Sequence, residues 1–279
     1  MITVNHANIG AGHFPDGSQM ILNFTQFNWD DNYIYWSYES DEECMTLYYI
    51  VKHIKDHYPL ATIRLCMPYV SNARMDRTKS DTEVFTLKWF CEFINSLNFN
   101  EVIILDPHSN VSTALLDRVV VADVGEILSR IINNNCRSWR LNPNKGVYFP
   151  DAGAMKRYSS IEMFGGYFPT KIIYGEKDRD WKTGKILGLK IMDKNGNRID
   201  GEEGNKVLEG ASILMIDDII SYGGTMYYSA LRLKELGASE IYAYASHTEN
   251  SVLDNENGTF INALNDGTVD MYIPEIIKK

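Results

Sequence analysis

The chain has 279 residues, of which 44% are hydrophobic and 23% are charged. A chain of this length can bury a substantial core as one large or two medium domains, and we favour two. The formal net charge of −10 argues against a nucleic-acid partner and against an anionic membrane, since both would reward a basic face.

The cysteines and the N-terminus predict the compartment. Cys44, Cys66, Cys91 and Cys136 lie far apart, without a CxxC motif or a ligand-like spacing. This pattern predicts buried free thiols in a reducing compartment. The N-terminus lacks a basic segment followed by an apolar one, and no run of about 18 apolar residues occurs. We therefore expect a soluble, cytoplasmic protein.

The first half of the chain alternates between helix and strand signals. Ser40 with Glu43 and Ser80 with Glu83 have the spacing of a capping box, which predicts two helix starts. Apolar runs bounded by turn signals predict the strands between them. The predicted elements are a helix at 37–59, a strand at 61–69, a helix at 82–97 and a strand at 102–106. This order predicts a parallel α/β unit.

A polar stretch at residues 133–146 indicates the boundary between two halves, which we place at 140/141. The same cycle then begins again, so the halves are predicted to be two copies of one fold. The predicted elements are a strand at 146–150, a helix that includes 155–164, a strand at 171–175, an antiparallel hairpin at 185–206, and a strand, a helix and a strand at 213–220, 226–236 and 240–247.

The segment ILMIDDIISYGGT, residues 213–225, carries the strongest chemical signal. Asp217 and Asp218, at the carboxyl end of the predicted strand, could accept hydrogen bonds from the 2- and 3-hydroxyls of a ribose. The turn Ser221-Tyr222-Gly223-Gly224-Thr225 lets backbone N–H groups approach an anion at the positive end of the following helix. The segment therefore predicts a ribose-phosphate site.

Charged side chains also follow two strands of the first half. Arg74 and Arg77 flank Asp76 just past a strand end, where the ligands of open α/β sheets bind. Arginines there could grip a nucleotide triphosphate with forked hydrogen bonds, although such a cluster is also typical of a solvated surface. The next strand ends in Asp106-Pro107-His108, where the histidine is either structural or part of a site.

Together these motifs resemble those of ribose-phosphate pyrophosphokinases, and they occur in that family's order from about residue 14 to residue 274. ARMDR resembles the family's nucleotide-binding loop, DPHS its DLH motif, PDAG its SPDxG stretch, and DDIISYGGT its phosphoribosyl-pyrophosphate loop. A type I phosphoribosyltransferase would match only the last of these. The resemblance implies two tandem type I phosphoribosyltransferase-like domains, 1–140 and 141–279, each with a mainly parallel sheet flanked by helices.

The resemblance also assigns roles on the ATP side. It implies that Arg74, Asp76 and Arg77 bind ATP and that His108 and Asp151 hold the magnesium of MgATP. His108 also counts among the catalytic residues. The segment HFPDGSQ is similar to a family segment that contacts adenine from a neighbouring subunit, so Phe14 and Asp16 are further ATP-binding candidates in a homo-oligomer. Ser18 stands where the family has a glutamate.

Lys177 and Arg179 occupy the position of the family's mobile catalytic flap, whose Lys-x-Arg pair reaches the ATP phosphates. Asp178 lies between them, where family members show a run of cations. The phosphate turn departs further, because Ser221-Tyr222 replaces an Asp-Thr pair. A tyrosine fills space and offers a flat stacking face.

The resemblance implies transfer of the β,γ-pyrophosphoryl group of MgATP to the 1-hydroxyl of a ribose 5-phosphate unit, with release of AMP. Tyr222 makes ADP-ribose an alternative acceptor, whose product would be a donor for NAD resynthesis. A phosphoribosyltransferase and a catalytically silent regulator of synthetases remain as further alternatives. The implied cofactor is Mg²⁺, with ATP as co-substrate.

Overall fold

The computed structural model describes residues 1–158, 167–179, 186–201, 206–253 and 259–274, without the side chains of 177–179, 186–187, 259 and 271–274. The chain forms two compact units, Met1–Asp123 and Val124–Ile277, each with its own six-stranded sheet. This is the predicted α/β class with mainly parallel strands. Within the described residues, no helix is both long enough and apolar enough to cross a membrane.

The first unit is built from eight strands and three helices. They are β1 (Ile2–Val4), β2 (Ala7–Ile9), β3 (Gly12–His13), β4 (Gln19–Met20), β5 (Asp31–Trp36), α1 (Glu42–His57), β6 (Thr62–Cys66), α2 (Thr86–Ser96), β7 (Glu101–Leu105), α3 (Asn110–Leu115) and β8 (Val119–Ala122). The sheet order is β2-β1-β5-β6-β7-β8, in which β5 to β8 are parallel and β1 is antiparallel to both neighbours.

Both predicted capping boxes of this unit are wrong. At α1 no side chain caps the helix, because the Glu43 carboxylate instead accepts hydrogen bonds from the buried Trp36 indole, at 3.0 Å, and from the Glu39 N–H, at 2.7 Å. The second helix, α2, begins only at Thr86. Upstream of it, the Glu83 carboxylate accepts from the Lys79 N–H at 2.7 Å and closes a turn. Tertiary and loop contacts thus use carboxylates that the sequence pattern assigned to helix caps.

The second unit contains α4 (Val124–Asn135), α5 (Arg137–Leu141), β9 (Lys145–Phe149), α6 (Ala152–Arg157), β10 (Lys171–Arg179), β11 (Ile186–Asp193), β12 (Ser212–Ile220), α7 (Gly224–Glu235), β13 (Glu240–Thr248), α8 (Thr259–Asn265) and β14 (Met271–Pro274). The sheet order is β11-β10-β9-β12-β13-β14. Only β11 runs antiparallel, alongside β10.

The stretch at 133–146, predicted as a polar boundary, is largely helical. Trp139 of α5 is fully buried with Leu128 and Ile132 of α4 in one apolar cluster, and its indole donates to the Gly146 carbonyl at 2.8 Å. The compact units therefore divide at Asp123, before the predicted position at 140/141. The many asparagines and arginines obscure the apolar periodicity that would predict these helices, because each short helix presents only a few apolar residues to the sheet.

The hairpin predicted at 185–206 is only partly correct. Its first strand, β11, pairs with β10, so the antiparallel pair involves an earlier segment than predicted. The predicted turn at Asn195-Gly196 does occur: Gly196 has φ +85°, and the Asp193 carboxylate accepts from the Asn195 N–H at 2.9 Å. Met192 and Arg198, on either side of the turn, form an isolated antiparallel bridge. Residues 202–205 lie outside the described part.

All four cysteines are free, as predicted. Cys91 and Cys136 are buried, and burial raises the pKa of both thiols, to about 11 and about 12 respectively. Cys44 and Cys66 are half-buried. Thiols with raised pKa values are poor nucleophiles, which is consistent with packing roles.

Candidate functional site

The acid pair and the glycine turn stand at the carboxyl edge of the second sheet. The acids lie just before β12 ends at Ile220, and α7 begins at Gly224. Gly223 is the N-cap of α7 with φ +77°, in the left-handed region that favours glycine, and it brings no capping side chain. The predicted strand, turn and helix are therefore confirmed. Backbone N–H groups at such a helix start are a suitable anion site.

Helix α8 packs closely against the turn at residues 221–225. A methyl group at Gly223 would lie within 2.9 Å of Phe260 Cγ, so only glycine fits against that buried ring. The Phe260 N–H donates to the Tyr222 carbonyl at 3.3 Å. The hydroxyl oxygens of Ser221 and Ser251 lie 3.2 Å apart, which ties the turn to the segment after β13. Tyr222 itself is 49% exposed, so its ring is available at the surface of the turn.

The two acids of β12 have different surroundings. Because side chains alternate along a strand, Asp218 lies on the same face of the sheet as Leu214 and Ile216. Its Oδ1 lies 2.8 Å from Nη1 of Arg157 in α6. Asp217 continues the row of Met215 on the other face, and its Oδ1 accepts from the Asp218 N–H at 2.9 Å. Burial and the adjacent Asp218 charge raise the pKa of Asp217 well above its usual value. Burial beside Asp218 thus disfavours the ionised form of Asp217.

A buried tyrosine lies beside this pair. The Tyr148 hydroxyl of β9 is 2.7 Å from the Ser229 hydroxyl of α7. Burial raises the pKa of Tyr148, and the charges of Asp217 and Asp151 raise it further. β9 and β12 are adjacent parallel strands with Tyr148 opposite Met215, so Asp151, just after β9, lies at the same edge of the sheet as the predicted ribose-binding acids.

Asp151 itself caps α6. Its Oδ1 accepts from the Ala154 N–H at 2.9 Å, and the residue is exposed. Carboxylate oxygens of this kind suit Mg²⁺, which keeps several waters and bridges substrate phosphates. Among the described residues, no three His, Cys, Asp or Glu side chains converge on one point. The Asp151 carboxylate is a chemically suitable contact for a magnesium ion that substrate phosphates also bind.

In the first unit, the predicted nucleotide loop directs its arginines outward. Val70 and Ala73 are each 2% exposed and anchor the loop, whereas Arg74 is exposed. The Arg77 side chain is 83% exposed, and its Nε lies 3.9 Å from Asp76 Oδ1. Exposed guanidinium groups on an anchored loop are compatible with contact to a polyanionic ligand.

The end of β7 has an unusual backbone. Asp106 is buried with φ +45°, although it is neither glycine nor asparagine and precedes Pro107. A left-handed residue before proline is unfavourable, and such strain is often found at functional sites. The next residue, His108, is half-buried and lies just before the Ser109 N-cap of α3. The structure thus places His108 at the carboxyl end of a parallel strand, as predicted.

Phe14 and Asp16 form the tip of the β3–β4 ribbon. The Phe14 N–H donates to the Ser18 carbonyl at 2.9 Å, and Phe14 is 52% exposed. The Ser18 hydroxyl and N–H both donate to Asp16 Oδ1, at 2.6 and 2.9 Å, and these bonds lower the pKa of Asp16. Ser18 therefore helps to close the tip of the ribbon through Asp16.

The predicted flap residues lie at the end of β10. Lys177 pairs with Leu189 and Arg179 with Ile186 of β11, and the register shifts between Asp178 and Arg179. The side chains of Lys177 and Arg179 lie outside the described part of the chain. The backbone thus places both cations at the far end of an antiparallel strand pair.

The sequence reasoning missed Arg157, Tyr148 and Phe260. Arg157 reads only as a cation in the last turn of a helix, which is common. Tyr148 and Phe260 read as core aromatics. No short motif marks these residues, because their partners, Asp218, Ser229 and Gly223, are distant in sequence.

Comparison with known proteins finds relatives named ribose-phosphate pyrophosphokinase. The chain is 26% identical to the ribose-phosphate pyrophosphokinase of Sulfolobus acidocaldarius over 238 residues, which cover 84% of this chain and 74% of the relative. It is 23% identical to that of Pyrococcus abyssi over 256 residues, covering 87% and 77%. The ribose-phosphate pyrophosphokinase of Listeria ivanovii is 28% identical over 67% of this chain, but only 52% of that relative is matched. No family model matches the chain.

A solved structure shows the same fold. Phosphoribosylpyrophosphate synthetase from Mycobacterium smegmatis superposes with a TM-score of 0.64 at 17% identity, covering 88% of this chain and 75% of that one. The predicted likeness to ribose-phosphate pyrophosphokinases and the predicted fold class are confirmed. The names of the relatives are those of transferases, in agreement with the prediction of an enzyme.

Proposed function

We propose that the protein is an ATP-dependent pyrophosphokinase that acts on a ribose 5-phosphate unit. The observation that carries the proposal is the acid pair Asp217-Asp218, followed directly by a left-handed glycine turn at the start of α7. The carboxylates suit ribose hydroxyls, and the turn suits the phosphate at C5. The named relatives support the same reaction.

In the proposed reaction, the acceptor's anomeric oxygen attacks the β-phosphorus of ATP. The bond from that phosphorus to the oxygen of the α-phosphate breaks, the hydroxyl proton is lost, and AMP leaves. Such transfers need in-line positioning and charge neutralisation, with little covalent help from the protein. Magnesium bound to the phosphates would neutralise oxygens around the attacked phosphorus.

Different residues of the chain are proposed to contact ATP, magnesium and the acceptor. Lys177 and Arg179, at the end of β10, are the proposed cations that close on the β-phosphate. Phe14, Asp16, Arg74, Asp76 and Arg77 are the proposed ATP contacts, and His108 and Asp151 are the proposed magnesium contacts, directly or through water. Asp217 and Asp218 orient the ribose, and Ser221 to Thr225 hold the group at C5.

A second acceptor is favoured by one observation. Tyr222 is 49% exposed on the phosphate turn, where a ring can stack on a base but adds no cation or small hydroxyl for a free phosphate. ADP-ribose carries a diester of lower charge and an adenine at this end. We therefore propose ADP-ribose as the alternative acceptor, which would give ADP-ribose pyrophosphate for NAD resynthesis. Homo-oligomer formation remains a prediction.

One experiment tests the proposal. The protein is incubated with ATP, magnesium and either ribose 5-phosphate or ADP-ribose, and the products are identified by mass spectrometry. Formation of AMP with a pyrophosphorylated acceptor supports the pyrophosphokinase, and the preferred acceptor is the one with the higher kcat/KM. An absence of AMP with both acceptors would refute the proposal. Incubation without an acceptor controls for ATP hydrolysis.

A further inference from the structure

The last turn of α6 carries a cation that reaches the acid pair of β12. Arg157 Nη1 lies 2.8 Å from Asp218 Oδ1, and the two side chains are 26% and 5% exposed. A carboxylate at this depth is costly to bury without a partner, since burial removes the water that would solvate its charge. Arg157 therefore stabilises the ionised form of Asp218 and restricts its orientation.

The position of Arg157 is itself fixed by buried neighbours. Ala154 and Tyr158 are 3% and 2% exposed, and Tyr158 stacks on Phe149 of β9 with ring centroids 5.6 Å apart. At the other end of α6, the Asp151 carboxylate caps the helix. These contacts fix the backbone of α6 at Arg157, and the Arg157 guanidinium carbon lies 5.9 Å from the centroid of the Tyr158 ring.

We propose that Arg157 is a positioning residue for the sugar acceptor: it holds the Asp218 carboxylate in the orientation that accepts the ribose hydroxyls. The inference rests on the proposed function, because it assumes that Asp218 contacts the acceptor. A carboxylate can accept about four hydrogen bonds, so contact with Arg157 is compatible with a sugar hydroxyl on the same group. Arg157 acts through Asp218 and does not itself need to touch the acceptor.

The inference predicts that loss of Arg157 changes the KM for the acceptor but not the KM for ATP. In Arg157→Met, the KM for the acceptor should rise about tenfold or more, whereas the KM for ATP should stay within about twofold of the wild-type value. Arg157→Lys keeps the charge but loses the planar fork, so it should restore part of the acceptor affinity. Lys156→Met, which removes a charge from the exposed neighbour on α6, should leave both KM values unchanged.

A double-mutant cycle tests whether Arg157 works through Asp218. Once Asp218→Asn has removed the carboxylate charge, adding Arg157→Met should change the acceptor KM by less than about twofold. An equally large effect of Arg157→Met in both backgrounds would overturn the inference. An unchanged acceptor KM in folded Arg157→Met would do the same.

Further measurements distinguish an unfolded variant and a failure of the proposed function from a failure of the inference. Thermal melting identifies unfolding, and if Arg157→Met does not fold, Arg157→Lys carries the test, with an unchanged acceptor KM overturning the inference. If the wild-type protein releases no AMP, the proposed function fails on its own. Isothermal titration calorimetry then compares ribose 5-phosphate and ADP-ribose binding to wild type, Arg157→Met and Lys156→Met. A weaker Kd in Arg157→Met alone supports the inference; equal Kd values, or no binding to wild type, overturn it.

Discussion

Arg232 of α7 binds the buried Asp200 carboxylate through two nitrogens, with Nη2 at 2.9 Å and Nε at 3.2 Å from Oδ2. Arg198 holds the other oxygen at 2.8 Å. The Asp200 side chain is fully buried, whereas both arginines are partly exposed. The pair joins the helix that carries the phosphate turn to the segment after β11, the strand paired with the predicted flap strand.

We expect Asp200→Asn to lower the free energy of unfolding by about 1–3 kcal/mol, because it leaves two guanidinium groups with a neutral partner. Burial alone would raise the pKa of Asp200, but hydrogen bonds from Arg198 and Arg232 outweigh burial and lower the pKa below its usual value. A depressed pKa stabilises the fold above the unfolded-state value, and this contribution is lost as the pH falls through the folded-state value.

The stability difference between wild type and Asp200→Asn should therefore shrink below about pH 4, which urea unfolding at several pH values measures. Glu235→Gln is the control, since Glu235 also contacts Arg232, at 2.8 Å, but its side chain is 63% exposed. A difference that stays constant down to pH 2 would contradict the proposed contribution of the pair.

Gly223→Ala should distort the phosphate turn, because the new methyl group meets Phe260 and the backbone is left-handed. We expect a loss of about 1–3 kcal/mol in stability and weaker binding of the sugar phosphate. Gly201→Ala is the matched control in the same unit, where no atom of the described residues lies within 4 Å of the added Cβ. Thermal melting and calorimetric titration measure both effects, and equal behaviour of the two variants would rule out the close packing.

Lys177→Ala and Arg179→Ala should each lower kcat by roughly two to four orders of magnitude with the fold intact, because the two cations would act mainly on transition-state charge. Lys194→Ala, in the exposed turn after β11, removes a cation from the same strand pair and should leave kcat unchanged. Steady-state kinetics and melting temperatures measure the effects. Near-native turnover in the Lys177 and Arg179 double variant would remove the flap from the mechanism.

The double variant Ser221→Asp with Tyr222→Thr should shift acceptor preference towards ribose 5-phosphate. Loss of the ring removes stacking worth about 1 kcal/mol, and a small hydroxyl suits a free phosphate better. The ratio of kcat/KM for ADP-ribose to that for ribose 5-phosphate measures the shift. Tyr228→Thr, which removes an exposed ring from the body of α7, is the control. Efficient use of ribose 5-phosphate by the wild type, with no reaction of ADP-ribose, would restore the simpler acceptor.

Sequence patterns predicted the structure correctly where all residues of a feature are neighbours along the chain. The strand of Asp217 and Asp218, the glycine turn and α7 follow one another within residues 212–235, so apolar runs and turn residues predict them directly. The capping contacts of α1 could not be predicted in this way. Glu43 has capping-box spacing, but its carboxylate binds Trp36, whose position depends on the packing of β5.

The sequence by itself determined the α/β class, the likeness to ribose-phosphate pyrophosphokinases, and the candidate residues that lie in short motifs. Only the tertiary structure decided that Arg157 meets Asp218 and that Phe260 closes on Gly223. The reason is physical: alternation and turn chemistry act between neighbours along the chain. Buried ion pairs and steric contacts depend on which elements the sheet brings together. The sequence alone does not specify which cation pairs with a given buried acid.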